Sequence, residues 1–313
     1  MFGYRKDGKK IKEIDGFYRI ASLLMGKTRS DSTNMMYLYI PTKKLDEFIA
    51  KKKREGLEYT YRDIFIATLV RLFHVRPRLN RFVYGGNFYQ RHFVDAALPL
   101  HKNLRTGEQE TTMKCRFTGK ETLAEVKAVW DSQIKNSMSS DNGTDDFARL
   151  VERMPTWMLR IMVGMMRFFD RHGLLTRKFM ENASPFHASF FFTDMKSILM
   201  DASLHHLYDF GNCGLFVCLG KEKLVPVVDQ KTGEIKAERV VTLGVSEDER
   251  FMDGLYLTNM YRSALRIFGN LSVLERAPTD NEIIQPALNA YWRTKKEKKA
   301  AKKAKKEITP DIS

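Results

Sequence analysis

Between His187 and Ser246 the chain passes through four β-rich segments, "HASFFFTDM", "CGLFVCLGK", "KLVPVVD" and "KAERVVTLGVS", with no helical pattern separating them. Strands that follow one another without a crossover helix pair mainly through hairpins and short returns, so this run predicts a largely antiparallel sheet. "QKTGE" reads as the turn between the last pair. A sheet of this kind must bury one face, and amphipathic helices elsewhere in the chain can cover it. The expected architecture is therefore α/β: a mixed, mainly antiparallel sheet with helices on one face.

Helical spacing is clearest before that run. "FYRIASLLMGKTRSDS" places Ile20, Leu23 and Leu24 at helical intervals, and "TKKLDEFIAKKKREG" puts Leu45, Phe48 and Ile49 on one face with lysines opposite. "YTYRDIFIATLVRLFHVRPRLN" predicts a helix with Thr60 as N-cap, Asp63 in the first turn and Pro77 at its end. "NMMYLYIP" reads as a strand and "RFVYGGNFYQRH" as a hairpin around Gly85-Gly86. "ETLAEVKAVWDSQIKN" is amphipathic, and "SMSSDNGTDD" is a polar loop. The most lipid-like run, Trp157 to Phe169, carries Arg160 and Arg167 and is too short to span a bilayer. It reads as a core helix, or as a helix lying in a membrane surface.

Of the net charge of +15, seven units come from "RTKKEKKAAKKAKKE" at residues 293–307, leaving a body of +8. A basic body suits anionic ligands. The tail reads as a solvated extension; lacking interleaved aromatics, it could hold nucleic acid or an acidic membrane only non-specifically. Cys115, Cys213 and Cys218 lack paired spacing and the N-terminus lacks an apolar signal core, so a cytoplasmic location is expected. No metal-ligand motif appears. Of the histidines, only the neighbours His205 and His206 are adjacent.

"SEDERFMDG", residues 246–254, joins the last β segment to a helical pattern from Leu255 to Phe268. In isolation Glu249 would be a solvated carboxylate paired with Arg250 or a lysine. The run Asp248-Glu249-Arg250-Phe251-Met252-Asp253-Gly254, however, resembles the D-H-R-x-x-D-G signature of the catalytic domain of 2-oxoacid dehydrogenase acyltransferases. A broader form of it, H-x-x-x-D-G, marks the chloramphenicol acetyltransferase-like superfamily. Pro77, Leu79 and Asn80 match the family's helix-Pro-x-Leu-Asn segment, "HASFFFTDM" stands in place of its T-x-T-I-S-N-L-G strand, and Gly214 to Gly220 is similar to the strand after it. The resemblance spans residues 18–272, between a basic arm at 1–17 and an extension at 273–313.

The resemblance implies a chloramphenicol acetyltransferase-like two-layer sandwich, a homotrimer with active sites between subunits, and coenzyme A or acyl-CoA as substrate. In the family a histidine takes the proton of a thiol or hydroxyl acceptor, and a hydroxyl on an earlier strand donates to the oxyanion. Those positions are Glu249 and Thr193 here, with Arg250, Asp253 and Gly254 structural. Asp253 could cap the following helix or pair with Arg19 or Arg29, and Thr193 could be only a β-former. His205, His206 and Ser189 are secondary candidates. The chain departs from the family at Glu249, Asp194 and Lys196, and no lipoyl or subunit-binding domain is expected ahead of residue 18. The implied activity is CoA-dependent acyl transfer with an altered base; the alternative is an inactive trimer kept for binding or regulation.

Overall fold

The late β segments pair with one another. In the computed structural model, which describes residues 5–26, 28–101, 110–139, 153–229 and 231–283, the strands are β1 (Gly8–Lys10), β2 (Thr33–Pro41), β3 (Arg81–Tyr84), β4 (Asn87–Arg91), β5 (Val94–His101), β6 (Glu110–Phe117), β7 (Phe190–Asp194), β8 (Leu215–Val228) and β9 (Ile235–Asp248). The order β2-β9-β8-β7-β5-β6 forms a six-stranded sheet, and β1-β4-β3 a smaller one. β7 runs parallel to β5 and β8, while the other neighbours are antiparallel. The lysine-rich segment and most of the polar loop after residue 139 lie outside the described residues.

The expected division of the strands needs correcting. "CGLFVCLGK" and "KLVPVVD" are a single strand, β8, carrying an irregularity between Leu219 and Glu222. A Cβ at Gly220 would stand 2.2 Å from the Ala202 backbone nitrogen, so close chain approach, not a turn, explains that glycine.

The helices are α1 (Gly16–Leu24), α2 (Lys43–Arg54), α3 (Tyr61–Val75), α4 (Leu123–Ser139), α5 (Thr156–His172) and α6 (Gly254–Gly269). α3 is buried on nearly every side, with α4 and α6 packed against it. Its N-terminus is closed by the expected cap: Thr60 Oγ1 accepts from the Asp63 amide, and Asp63 Oδ2 accepts from the Thr60 amide at 2.8 Å. Strand alternation separates the two faces of the sheet. Phe190 and Phe192, Leu215 and Val217, and Leu243 and Val245 enter the core under the helices. Phe191 and Phe216 point the other way and join Leu207 and Cys213, where residues 199–213 cross the sheet. That crossing is tight, since a Cβ at Gly244 would meet Ser203 O at 2.2 Å.

The core reading of the Trp157 helix is corrected too: α5 lies apart from this layer with Trp157, Ile161, Met165 and Phe168 exposed, and its buried Asp170 fastens its C-terminal end. Asp170 Oδ1 accepts from Arg5 (2.8 Å) and His187 Nε2 (3.2 Å), while Oδ2 accepts from the Tyr84 hydroxyl (2.8 Å) and the Gly211 amide (3.1 Å). Burial opposes its charge, yet His187, Arg5 and Tyr84 hold the carboxyl well below the usual carboxylate range. Burial keeps His187 neutral, so Nε2–H donates to Asp170 and Nδ1 accepts from Ser184 Oγ at 2.7 Å. Asp170→Asn should cost about 2–3 kcal/mol, because Arg5 and His187 lose a buried anion. Urea unfolding at pH 7 measures it, and a loss below about 1 kcal/mol would show that α5 is held by something else.

Candidate active site

Backbone hydrogen bonds fix the turn after β9 between the starts of its two neighbours, β2 and β8. The Asp248 amide donates to Gly214 O and the Glu249 amide to Ser32 O, both at 3.0 Å. Arg250 does not turn toward Glu249 as its position suggested. Its Nε and Nη2 instead grip the two Asp248 oxygens at 2.8 and 2.7 Å, with Arg29 Nε 3.6 Å away on the same carboxylate. This bidentate grip holds the turn closed and leaves Glu249 half-buried, outside the pair.

Asp253 plays both roles considered for it, with a different partner. Oδ1 caps α6 by accepting from the Tyr256 amide at 2.9 Å, and Oδ2 pairs with Arg78 at 2.8 Å, not with Arg19 or Arg29. Arg78 Nε–H also donates to Phe251 O (3.2 Å), and its guanidinium lies over the Tyr18 and Tyr256 rings. Arg78 belongs to the Pro77–Asn80 turn, so the two stretches carrying the sequence resemblance are in contact. Asn80 extends the link: it donates to Phe93 O and accepts from Ser189 Oγ. Ser189 is thereby a buried clamp, with the Asp95 amide donating to its Oγ. Gly254 opens α6 with free space around its Cα.

A residue that the sequence reading passed over lies two positions before Glu249. Glu247 is fully buried, and neither carboxyl oxygen has a hydrogen-bond partner. Burial first, then the charges of Glu249, Asp248 and Asp253, push its pKa up to about 9. The signal was present: Val241, Leu243 and Val245 face the core, and Glu247 has the same parity.

Thr193 faces away from the helix layer, opposite Cys218 in the parallel β7–β8 pair. It lines a cavity of about 590 Å³ with Asp194, Ser203, His205, Tyr208 and Phe216. The His205 ring lies flat on Phe216, with centroids 4.2 Å apart, and His206 stacks behind it at 4.7 Å. The cavity therefore brings Thr193 and His205 together, through a loop crossing that periodicity could not reveal. Asp194 caps the turn after β7 by accepting from the Ser197 amide (3.2 Å), and Lys196 pairs with Glu222 (3.0 Å), so both departures from the family pattern have structural partners.

Glu249 does not line this cavity. β8 carries Cys218 opposite Thr193, and Gly214, just before that strand and four residues earlier, lies beside Asp248, a separation of about 13 Å at ~3.3 Å per residue. Ser184, His187 and Asp170 also form a Ser-His-Asp line, but all three are buried and Ser184 lines none of the larger cavities. Among the described residues no group of His, Cys, Asp or Glu is placed to hold a metal, and no helix is long and apolar enough to cross a membrane.

No sequence-family model matches the chain. No curated protein matches it either. Solved structures do. The dihydrolipoamide acetyltransferase of Azotobacter vinelandii superposes with a TM-score of 0.53 at 12% identity, covering 82% of this chain and 88% of the other. The cubic core of the pyruvate dehydrogenase multienzyme complex gives 0.51 at 12%, with 82% and 88% covered. A probable dihydrolipoamide acetyltransferase from Listeria monocytogenes gives 0.51 at 14%, with 84% and 96% covered. The chain has the fold of 2-oxoacid dehydrogenase acyltransferase catalytic domains, the fold to which "SEDERFMDG" pointed.

Proposed function

We propose that the protein is a CoA-dependent acyltransferase whose active site forms between subunits of a trimer, Glu249 coming from one chain and Thr193 from its neighbour. The observation that carries this reading is the separation of the two halves on one chain: Thr193 opens onto a cavity that Glu249 does not reach. Copies of this fold associate elsewhere, as in the cubic core of a multienzyme complex. In the Azotobacter enzyme, investigated for the roles of a serine, a histidine and an asparagine in catalysis, the last two stand four positions apart, as Glu249 and Asp253 do here.

In this mechanism the acceptor's thiol or hydroxyl loses its proton to the Glu249 carboxylate and attacks the thioester carbonyl carbon. Thr193 Oγ1–H donates to the resulting oxyanion. Collapse breaks the C–S bond, and the CoA thiolate recovers the proton from Glu249.

A carboxylate is intrinsically a weaker base than the imidazole of the family signature, and the replacement of histidine by Glu249 favours a second reading in which the trimer binds acyl-CoA without turnover. Calorimetric titration with CoA and acetyl-CoA, followed by an acceptor screen, separates them. Saturable binding near one site per chain with transfer supports the enzyme. Binding without transfer supports the second reading, and no binding at millimolar ligand removes both.

A further inference from the structure

α5 stands on the protein with most of its surface in solvent, and its exposed side chains are mainly apolar or cationic, with Met158, Val163 and Phe169 exposed away from its main stripe. Trp157, Ile161, Met165 and Phe168 form one stripe, all exposed, at offsets of four, eight and eleven residues. Leu159, Met162 and Met166 are half-buried and face the body, roughly 105–165° round the helix from the middle of that stripe. Arg160, Arg167 and Arg171 form a second exposed row about 90° from the apolar one, and none of them makes an ion pair with another described residue. The only acidic residue in the helix, Asp170, is buried. The surface that α5 shows to solvent is thus apolar and cationic, with no anion of its own, and Arg153 before it and Lys178 after it extend the positive charge.

From this arrangement we infer that α5 lies in the plane of an anionic lipid surface, with Trp157, Ile161, Met165 and Phe168 in the acyl boundary and the arginine row on the headgroup phosphates. A bulky apolar stripe beside arginines is the composition of interfacial helices, and arginine stems can lie along the apolar layer while their heads reach the phosphates. At 17 residues with three arginines the helix lies on a bilayer and does not cross it. α1 is the internal comparison. It exposes Phe17, Ile20 and Leu24, but no row of cations accompanies them, so charge singles out α5. The inference is independent of the proposed acyl transfer.

The test is co-sedimentation of the full chain with vesicles of phosphatidylcholine alone and of phosphatidylcholine with about 30% phosphatidylglycerol, with the emission of Trp157 taken in parallel as the difference between the native chain and Trp157→Phe, because Trp130 and Trp292 also emit. Two variants are compared, Arg160→Glu/Arg167→Glu/Arg171→Glu and Trp157→Ser/Phe168→Ser. Every substituted side chain is exposed, and thermal melting verifies that each variant folds. All proteins keep residues 293–313, so a loss on changing α5 is not an effect of the lysine tail.

The expected result is binding to the anionic vesicles at least about tenfold tighter than to the neutral ones, weakened by salt, with a blue shift of Trp157 and at least about a tenfold loss in each variant. Absence of binding to either vesicle would overturn the inference. So would binding that both variants retain and only deletion of 293–313 removes. A concentration-dependent mass in light scattering that the variants abolish, without vesicle binding, would also overturn it and make α5 a contact between copies of this chain.

Discussion

Mixing two dead proteins should yield a live one. Glu249→Gln removes the proposed proton acceptor and Thr193→Val the proposed oxyanion donor, and on that proposal each alone should lower acyl transfer by about 10²–10³-fold. If each site takes Glu249 from one subunit and Thr193 from the next, random co-refolding of the two variants rebuilds about a quarter of the sites intact. Activity near a quarter of native would place the two residues on different chains, and no recovery would mean that both halves are supplied by one chain. His205 supplies the control, because it shares Thr193's cavity within one chain. Mixing His205→Gln with Thr193→Val cannot rebuild a site that needs both residues. Loss of turnover in His205→Gln with full turnover in Glu249→Gln would move the base to His205 and refute the role given to Glu249.

Glu247→Gln should stabilise the protein, and by more as the pH rises. With its pKa pushed up to about 9, Glu247 keeps its proton in the folded state through neutral pH, whereas the unfolded carboxyl releases it near the ordinary 4.5. The folded state therefore binds more protons. The stability this confers is complete below the unfolded pKa and drains away as pH rises toward 9. Between pH 5 and 8 the loss approaches about 4 kcal/mol, at about 1.4 kcal/mol per unit. Glutamine has the same shape and no proton to hold, so the two proteins should match near pH 5 and diverge steadily above it. Urea unfolding at fixed protein concentration gives the curve, and parallel stabilities from pH 5 to 8 would show that Glu247 finds a partner in the assembled protein. His187, kept neutral by burial, acts on the acid side, where stability falls as pH drops below about 6.5, and the substitution leaves that limb unchanged.

These outcomes divide along the range of the interactions involved. Features set by neighbours in sequence were legible: the caps at Thr60 and Asp253, the β-rich segments that became β7 and β9, and the helix that opens at the Asp253-Gly254 turn. Each depends on residues within a turn or two of one another, so a periodic pattern or a side-chain type in the right place is sufficient evidence. The two strands expected in place of β8 show the limit of that method, because Gly220 looks like punctuation until Ala202 is found against it.

The partners of charged groups followed a different rule. Arg78 reaches Asp253 across 175 residues, Arg5 reaches Asp170 across 165, and the crossing at 199–213 brings His205 to Thr193. A buried charge selects whichever opposite charge the packed elements deliver to it, and its own neighbours in sequence do not reveal that choice. The layers and the location of the turn follow from local pattern alone. Only the tertiary structure decided which carboxylates are paired, which one is left buried without a partner, and which helix stands in solvent with its apolar stripe uncovered, because each of these depends on what the rest of the chain packs against it.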